Sequence, residues 1–125
     1  MLYTPSTTTY HLSDLGRIPD GTYLRLDRDG LLPITWSFGY QVACTNWHAP
    51  KSSYVAETDD AVRAIILTHP IHSDGYLGVW TDPKELRYVE RTYWVEHLEP
   101  AITLGQAWNQ DCIWDWAENE EIKIK

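Results

Sequence analysis

Residues 92–116 have the sequence Thr-Tyr-Trp-Val-Glu-His-Leu-Glu-Pro-Ala-Ile-Thr-Leu-Gly-Gln-Ala-Trp-Asn-Gln-Asp-Cys-Ile-Trp-Asp-Trp. At both ends of this stretch the residues alternate with the period of two that is typical of a β-strand. Between the ends, apolar residues recur at helical spacing on one face: Leu98, Ala101, Ile102, Gly105 and Trp108. Pro100 falls in the first helical turn, where its missing N–H costs nothing. The stretch therefore predicts a strand, a helix and a second strand.

The preceding residues predict a second helix and further strands. Thr58 is a suitable helix N-cap, and Asp59 and Asp60 follow it where the helix dipole favours negative charge. Pro70 ends this helix, because the residue before a proline avoids helical geometry. The longest alternation predicts one strand over residues 34–42 with one apolar face: Ile34, Trp36, Phe38, Tyr40 and Val42. These patterns predict an α+β protein, a single domain over residues 1–125 with an antiparallel sheet of about six to seven strands and two amphipathic helices.

The same patterns predict which side chains form the core. We expect the following to be largely buried: Ile34, Trp36, Phe38, Val42, Val62, Ile65, Ile66, Val79, Val95, Leu98, Ile102, Trp108, Cys112 and Trp114.

A strand–strand–helix pattern occurs twice, in residues 34–69 and 75–110. The last valine before each helix, Val55 or Val95, stands six residues before an alanine of that helix. A duplication would place two similar helices on one antiparallel sheet or on two linked sheets. Coincidence between two ordinary amphipathic units is the alternative.

The composition limits the classes of partner. Eighteen acidic residues against ten lysines and arginines give a formal net charge of −8. This balance disfavours direct binding to nucleic acid or to anionic membranes, which needs clusters of basic residues. It is typical of a soluble protein and also favours a protein partner with a basic surface. No apolar run approaches the roughly 20 residues of a membrane span, and no signal peptide is recognisable. We therefore expect a cytoplasmic protein.

Few residues in the sequence have the chemistry or spacing of a catalytic or metal-binding site. Cys44 and Cys112 are far apart in sequence, so we interpret both as reduced thiols. His69, His72 and Asp74 have the spacing of a metal site, although Pro70 breaks the segment, and a polar loop is the alternative. The sequence contains no nucleophile elbow, phosphate-binding loop or dinucleotide fingerprint. It therefore predicts no catalytic residue, no bound metal and no cofactor.

Acidic and aromatic residues occur together near the C-terminal end of the sequence. We predict one partner-binding patch there and a second patch at the start of the first helix. The residues are Asp111, Asp115, Trp116, Glu118, Glu120 and Glu121 in the first patch, and Asp59 and Asp60 in the second. Carboxylates beside aromatic rings can imitate the phosphates and bases that a nucleic-acid-binding cleft accepts. A solvated acidic hairpin, or paired carboxylates acting as acid and base, are the alternatives.

Three segments carry a resemblance to other proteins: Gly78-Val79-Trp80-Thr81-Asp82-Pro83, Val95-Glu96-His97-Leu98-Glu99 and Asn109-Gln110-Asp111-Cys112-Ile113-Trp114-Asp115. Together they resemble the C-terminal pattern of small uncharacterised proteins from phages and bacteria. The resemblance covers the last two-fifths of the chain and implies no catalytic residue. It implies a mobile genetic element as the source and an anti-defence role, of which anti-CRISPR inhibition is an example.

Three functions follow as hypotheses from these patterns. The first is a non-enzymatic inhibitor that binds a basic surface on a host nucleic-acid-binding or defence protein. The second is a small-ligand or nucleotide-binding domain that uses the aromatic face of Trp36, Tyr40 or Trp116. The third is a small metal-dependent enzyme that uses the two histidines and the aspartate with metal-site spacing: His69, His72 and Asp74. The first is our prediction, since no catalytic signature accompanies the acidic patches.

Overall fold

The computed structural model describes residues 3–26, 30–43, 53–68 and 75–125. Within these ranges nine strands form one open antiparallel sheet, and two α-helices pack on it. The strands are β1 Thr4–Pro5, β2 Gly21–Arg25, β3 Leu31–Thr35, β4 Tyr40–Ala43, β5 Ser53–Ala56, β6 Tyr76–Thr81, β7 Arg87–Val95, β8 Cys112–Asp115 and β9 Glu120–Lys123. The helices are α1 Asp59–Thr68 and α2 Leu98–Ala107, preceded by a 3-10 helix at Leu12–Arg17. The predicted α+β class is confirmed, but the predicted number of strands is too small.

The sheet is built around β7, the longest strand. The strand order is β1-β3-β2-β6-β7-β4-β8-β9, and β5 also pairs with β7. One edge of β7 pairs with β6, and the other pairs first with β4 and then with β5. Ala43 lies opposite Thr92, and Ser53 lies opposite Glu90, so β4 and β5 lie end to end along one edge of β7. The division of residues 34–42 into β3 and β4, together with the two-residue β1, raises the number of strands above the predicted six to seven.

Both helices cover the same face of the sheet. Residues opposite each other in an antiparallel pair point to the same face, so the register assigns every strand residue to one of two faces. The larger core cluster lies under α1 and consists of Leu15, Ile18, Tyr23, Leu31, Ala56, Val62, Ile66, Leu77, Val79 and Val89. The second lies under α2 and consists of Val42, Ala101 and Ile113, with partly buried side chains such as Ile102, Trp108, Ile122 and Ile124 against them. Full burial of such side chains contributes about 1.5–3 kcal/mol each to folding.

The two helices begin as their sequences predict. The Ala61 N–H donates to the Thr58 hydroxyl over 3.1 Å, which confirms the predicted N-cap of α1. Pro100 occupies the first turn of α2, and Ala101 and Gly105 form its buried face. None of the helices in the described residues is long and apolar enough to cross a membrane.

The prediction of one strand over residues 34–42 is wrong. The chain forms β3 and β4 instead, joined by a bend in which Gly39 has a φ of +85°. Ile34 lies opposite Thr22, whereas Val42 lies opposite Tyr93, so the bend moves the two residues to opposite faces. A left-handed glycine can reverse the facing of a chain in this way, and an alternation pattern alone does not detect it.

Most of the predicted core residues are confirmed. Those buried are Ile34, Trp36, Val42, Val62, Ile66 and Val79, and those half-buried are Ile65, Val95, Ile102, Trp108, Cys112 and Trp114. Two are exposed: Phe38, with 38% of its surface accessible, and Leu98, with 39%. Phe38 lies in the bend between β3 and β4, and Leu98 is the first residue of α2, so neither lies over the middle of the sheet.

The two predicted repeat units, 34–69 and 75–110, differ in strand pairing where the structure describes them. In the second unit β6 and β7 form a hairpin. In the first, β4 and β5 both pair with β7 and lie end to end. Each unit nevertheless places its helix on the same face of the sheet, and the duplication stays a prediction.

Candidate functional site

The face of the sheet opposite α1 and α2, called here the helix-free face, carries a chain of polar side chains at its centre. The Thr22 hydroxyl donates to Gln41 Oε1 over 2.8 Å, and Gln41 Nε2 donates to the Thr92 hydroxyl over 2.7 Å. Thr22 and Thr92 are buried. Gly78 lies between them, where a Cβ atom would come within 2.8 Å of Thr92 Cγ2. The absence of a side chain at Gly78 therefore leaves room for this row of hydrogen-bonded side chains, which links β2, β4 and β7.

An aromatic cluster centred on Trp36 covers part of the helix-free face. The indole of Trp36 is 5% accessible. Its ring centroid lies 5.0–6.2 Å from those of Tyr3, Tyr76, Trp94 and Trp116. Edge-to-face and offset contacts at such distances stabilise packing. Trp36 thus fills the space between the other rings and offers no free face for a ligand to stack on.

The three aromatic residues predicted to bind a ligand do not share one surface. Trp36 and Trp116 are in contact in the aromatic cluster. Tyr40 lies opposite Val95 and packs against the core under α2, on the other face of the sheet. The bend before β4 explains why Tyr40 lies on the face opposite to Trp36 and Trp116.

Three connections meet at one end of the sheet. Tyr40 lies opposite both Val95 and Asp115, so the bend before β4, the β7–α2 connection and the β8–β9 turn all lie at this end. The Trp116 backbone N–H donates to the Gly39 carbonyl over 3.0 Å and joins two of these connections. We call six exposed apolar or acidic residues at this end the acidic end: Phe38, Glu96, Leu98, Glu99, Glu118 and Glu120.

The four glutamates of the acidic end lie in a part of the sequence without lysine or arginine. Residues 92–122 contain seven acidic residues and neither a lysine nor an arginine. Within the described ranges, the only ion pair formed by a residue of the acidic end joins Glu96 to the neighbouring His97, over 3.8 Å. In the same ranges no lysine or arginine forms a salt bridge with Glu99, Glu118 or Glu120. The negative charge of this end is therefore not neutralised locally.

The first predicted patch divides into two kinds of residue. Glu118, Glu120 and Glu121 are exposed. Asp115 is only 9% accessible, and its Oδ1 accepts hydrogen bonds from the Ala117 and Glu118 N–H groups over 3.0 and 3.2 Å. The Asp115 carboxylate therefore stabilises the β8–β9 turn, and it is directed at backbone N–H groups of that turn.

The other predicted contact residues lie in several environments. Asp111 is exposed and pairs with Lys125 over 3.7 Å, and Trp116 belongs to the aromatic cluster. Asp59 and Asp60 begin α1, over the larger core cluster. Asp59 lies 3.6 Å from Arg17 and 4.0 Å from Arg87, so basic residues already compensate much of its charge. The first predicted patch therefore lies near α2 and its core cluster, whereas the second lies at α1 over the larger core cluster.

A second exposed apolar surface was missed by the sequence patterns. Trp80 and Val55 both lie opposite Tyr88 on the helix-free face. The Trp80 and Tyr88 rings stack in parallel with centroids 4.2 Å apart, and Trp80 is 41% accessible. Only the strand register could have brought these three residues together, because they come from three strands.

The candidate metal site and one of the two cysteines lie outside the residues that the structure describes: His69, His72, Asp74 and Cys44. Among residues 3–26, 30–43, 53–68 and 75–125, no group of three His, Cys, Asp or Glu side chains could hold a metal ion. Desolvation, and then the neighbouring Glu121 carboxylate, raises the pKa of the Cys112 thiol, which makes it a poor nucleophile.

Comparison with protein families, with curated proteins and with solved structures found no match for this chain.

Proposed function

We propose that this chain is a non-catalytic binding protein that attaches its acidic end to a basic surface of another protein. The observation that carries this proposal is the stretch 92–122, whose seven acidic residues have no lysine or arginine among them. Phe38 and Leu98 add exposed apolar area beside these carboxylates. An apolar anchor surrounded by charged residues is a common arrangement in protein interfaces.

The partner chemistry follows from the charge. A cluster of uncompensated carboxylates attracts a surface rich in lysine and arginine, and nucleic-acid-binding proteins carry such surfaces. Occupation of that surface would exclude nucleic acid. We therefore infer that the protein acts in the cytoplasm as an inhibitor of a host nucleic-acid-binding or defence protein, in keeping with the resemblance to phage proteins.

The first experiment tests the charges of the acidic end. The protein serves as bait in its host lysate, and the captured partner is purified and its association rate measured at low and moderate salt. We expect association to be slower at moderate salt, because salt screens attraction between opposite charges. Replacing Glu99, Glu118 and Glu120 by glutamine should slow association at low salt by about tenfold.

The matched control removes equal charge elsewhere. Asp14→Asn, Glu57→Gln and Glu85→Gln also change three exposed acids, and this variant should associate nearly as fast as the unmodified protein. Equal slowing in both variants would show that only net charge matters, and unchanged rates in both would remove the acidic end from the interface. Either result contradicts the proposal.

The second experiment tests the apolar anchor. Phe38→Ala should accelerate dissociation from the captured partner, because anchors in the centre of an interface act mainly on dissociation. Trp80→Ala removes an equally exposed aromatic residue from the other apolar surface and should leave dissociation unchanged. The reverse result would move the interface to Trp80 and Tyr88.

A further inference from the structure

β9 forms an outer edge of the sheet. Within the described residues it pairs with β8 on one side and with no strand on the other. An edge strand offers its outward N–H and C=O groups to any strand that can pair with it. The opposite edge, β1, has only two residues, one of which is Pro5 and lacks an N–H. Of these two edges, β9 is thus the one better suited to pairing.

The hydrogen bonds identify which residues of β9 point outward. The Ile124 N–H donates to the Asp111 carbonyl over 2.9 Å, so Ile124 points towards the β8 side. Residues along an antiparallel strand alternate in this respect, so Ile122 and Glu120 also point inward. Glu121 and Lys123 therefore present their backbone N–H and C=O groups to the outer edge.

We propose that a second copy of this chain pairs with this edge through an antiparallel β9–β9 contact centred on Ile122. In this register the two Ile122 residues face each other across a two-fold axis. Glu121 of each copy lies opposite Lys123 of the other, and these are the residues with outward backbone groups. The contact is self-complementary, as a two-fold interface must be.

Charge selects this register over its neighbours. A shift of two residues in one direction would place Glu121 opposite Glu121. A shift in the other direction would place Lys123 opposite Lys123 and Glu121 opposite Lys125, whose ammonium group already pairs with Asp111. Opposite charges across a strand pair are favourable and like charges are unfavourable. In the proposed register both charged pairs are complementary, and both lie on the helix-free face.

The expected dimer is weak. One four-residue strand from each copy forms a small contact, below the size of stable interfaces. The net charge of −8 on each chain also opposes association. We therefore expect a concentration-dependent dimer in the high micromolar range, measurable by sedimentation equilibrium of the purified chain.

A charge-reversal experiment tests the register. Lys123→Glu alone, and Glu121→Lys alone, should each weaken dimerisation by about tenfold, because each creates two like-charged pairs. An equimolar mixture of the two variants should recover association, since the mixed dimer has Glu opposite Lys at both positions. Lys84→Glu and Glu85→Lys make the same charge changes on the β6–β7 turn and should dimerise like the unmodified chain.

A second variant tests the backbone contact. Lys123→Pro removes an N–H that points to the outer edge, so it should abolish dimerisation while circular dichroism still shows the native fold. A chain that stays monomeric throughout the concentration range overturns the proposal. So does a mixture of the two charge variants that associates no better than either alone. Partner binding through the acidic end is measured separately, so failure of one proposal leaves the other standing.

Discussion

Gly39 determines how the aromatic residues on either side of it are placed. Its φ of +85° is accessible to glycine at little cost, and its position leaves room for Trp94, whose ring would lie 2.4 Å from an added Cβ atom. The Trp94 indole N–H donates to the Phe38 carbonyl in the same bend over 2.9 Å. The bend and the aromatic cluster therefore depend on each other.

We expect Gly39→Ala to destabilise the protein by about 2–4 kcal/mol, the sum of backbone strain and displacement of Trp94. Urea unfolding followed by tryptophan fluorescence measures this. Gly30→Ala is the matched control, because an added Cβ there would meet its nearest neighbours at 3.5 Å, an ordinary contact distance. Equal stability of the two variants would mean that the bend is not constrained as we describe.

Tyr23 makes the free energy of unfolding depend on pH in the alkaline range. Desolvation by burial, and then the neighbouring Tyr10, raises the pKa of Tyr23 above its usual value of about 10. Below pH 10 the phenol is neutral in both states, so its stabilising contribution is complete. As pH rises above 10 the unfolded chain ionises first, and stability falls by up to about 1.4 kcal/mol per pH unit.

Tyr23→Phe should reduce this loss between pH 10 and 11, because the ionisable group is gone. At pH 8 the variant should be less stable by about 1 kcal/mol, since the Tyr23 hydroxyl donates to the Pro19 carbonyl. Urea unfolding free energies at pH 8, 10 and 11 measure both effects. Parallel pH curves for the two proteins would exclude Tyr23 as a source of the alkaline dependence.

At the scale of elements, the N-cap of α1 makes a measurable contribution. Thr58→Ala removes the acceptor of the Ala61 N–H and should destabilise the protein by about 1 kcal/mol. Thr103→Ala changes an exposed threonine inside α2 and should be neutral or slightly stabilising, because alanine favours the helix. Thermal unfolding of both variants measures the difference, and similar melting temperatures would argue against a capping role for Thr58.

The two helices could be predicted from the sequence because their signals are local. The cap at Thr58 and the position of Pro100 in a first turn need no knowledge of the rest of the chain. The Ile34–Val42 alternation failed because one left-handed glycine divides it between two faces. The end-to-end arrangement of β4 and β5 is a property of the pairing with β7, and no pattern within either strand indicates it.

The candidate site was predictable in charge but not in geometry. Glu118 and Glu120 are exposed at the end of the sheet, where the sequence placed an acidic patch. Asp115 could not be separated from them, because its hydrogen bonds to the Ala117 and Glu118 N–H groups exist only once the turn has formed. Phe38 was expected in the core, and its exposure beside the acids is what makes this end a binding surface in our proposal.

At the scale of the whole molecule, charge is distributed unevenly along the chain. Of ten lysines and arginines, none falls within residues 92–122, whereas seven of eighteen acids do. Arg17 and Arg87 instead accompany Asp59 beside the larger core cluster. The acids around α2 therefore repel one another without a nearby arginine or lysine in the same stretch. Near α1, by contrast, arginines compensate the negative charge of Asp59.

We expect this repulsion to make folding more favourable at moderate salt. Raising sodium chloride from about 10 to 150 mM shortens the Debye length from about 30 to 8 Å, which screens repulsion between the carboxylates of the acidic end. The stability gain should be about 0.5–1 kcal/mol, or a rise of a few degrees in melting temperature.

The variant with Glu99, Glu118 and Glu120 changed to glutamine should start from a higher melting temperature at low salt and respond less. The variant with Asp14, Glu57 and Glu85 neutralised should keep most of the salt response, because those acids lie outside residues 92–122. A melting temperature that falls with salt, or an equal response in all three proteins, would show that the acids near α2 do not repel one another enough to affect folding.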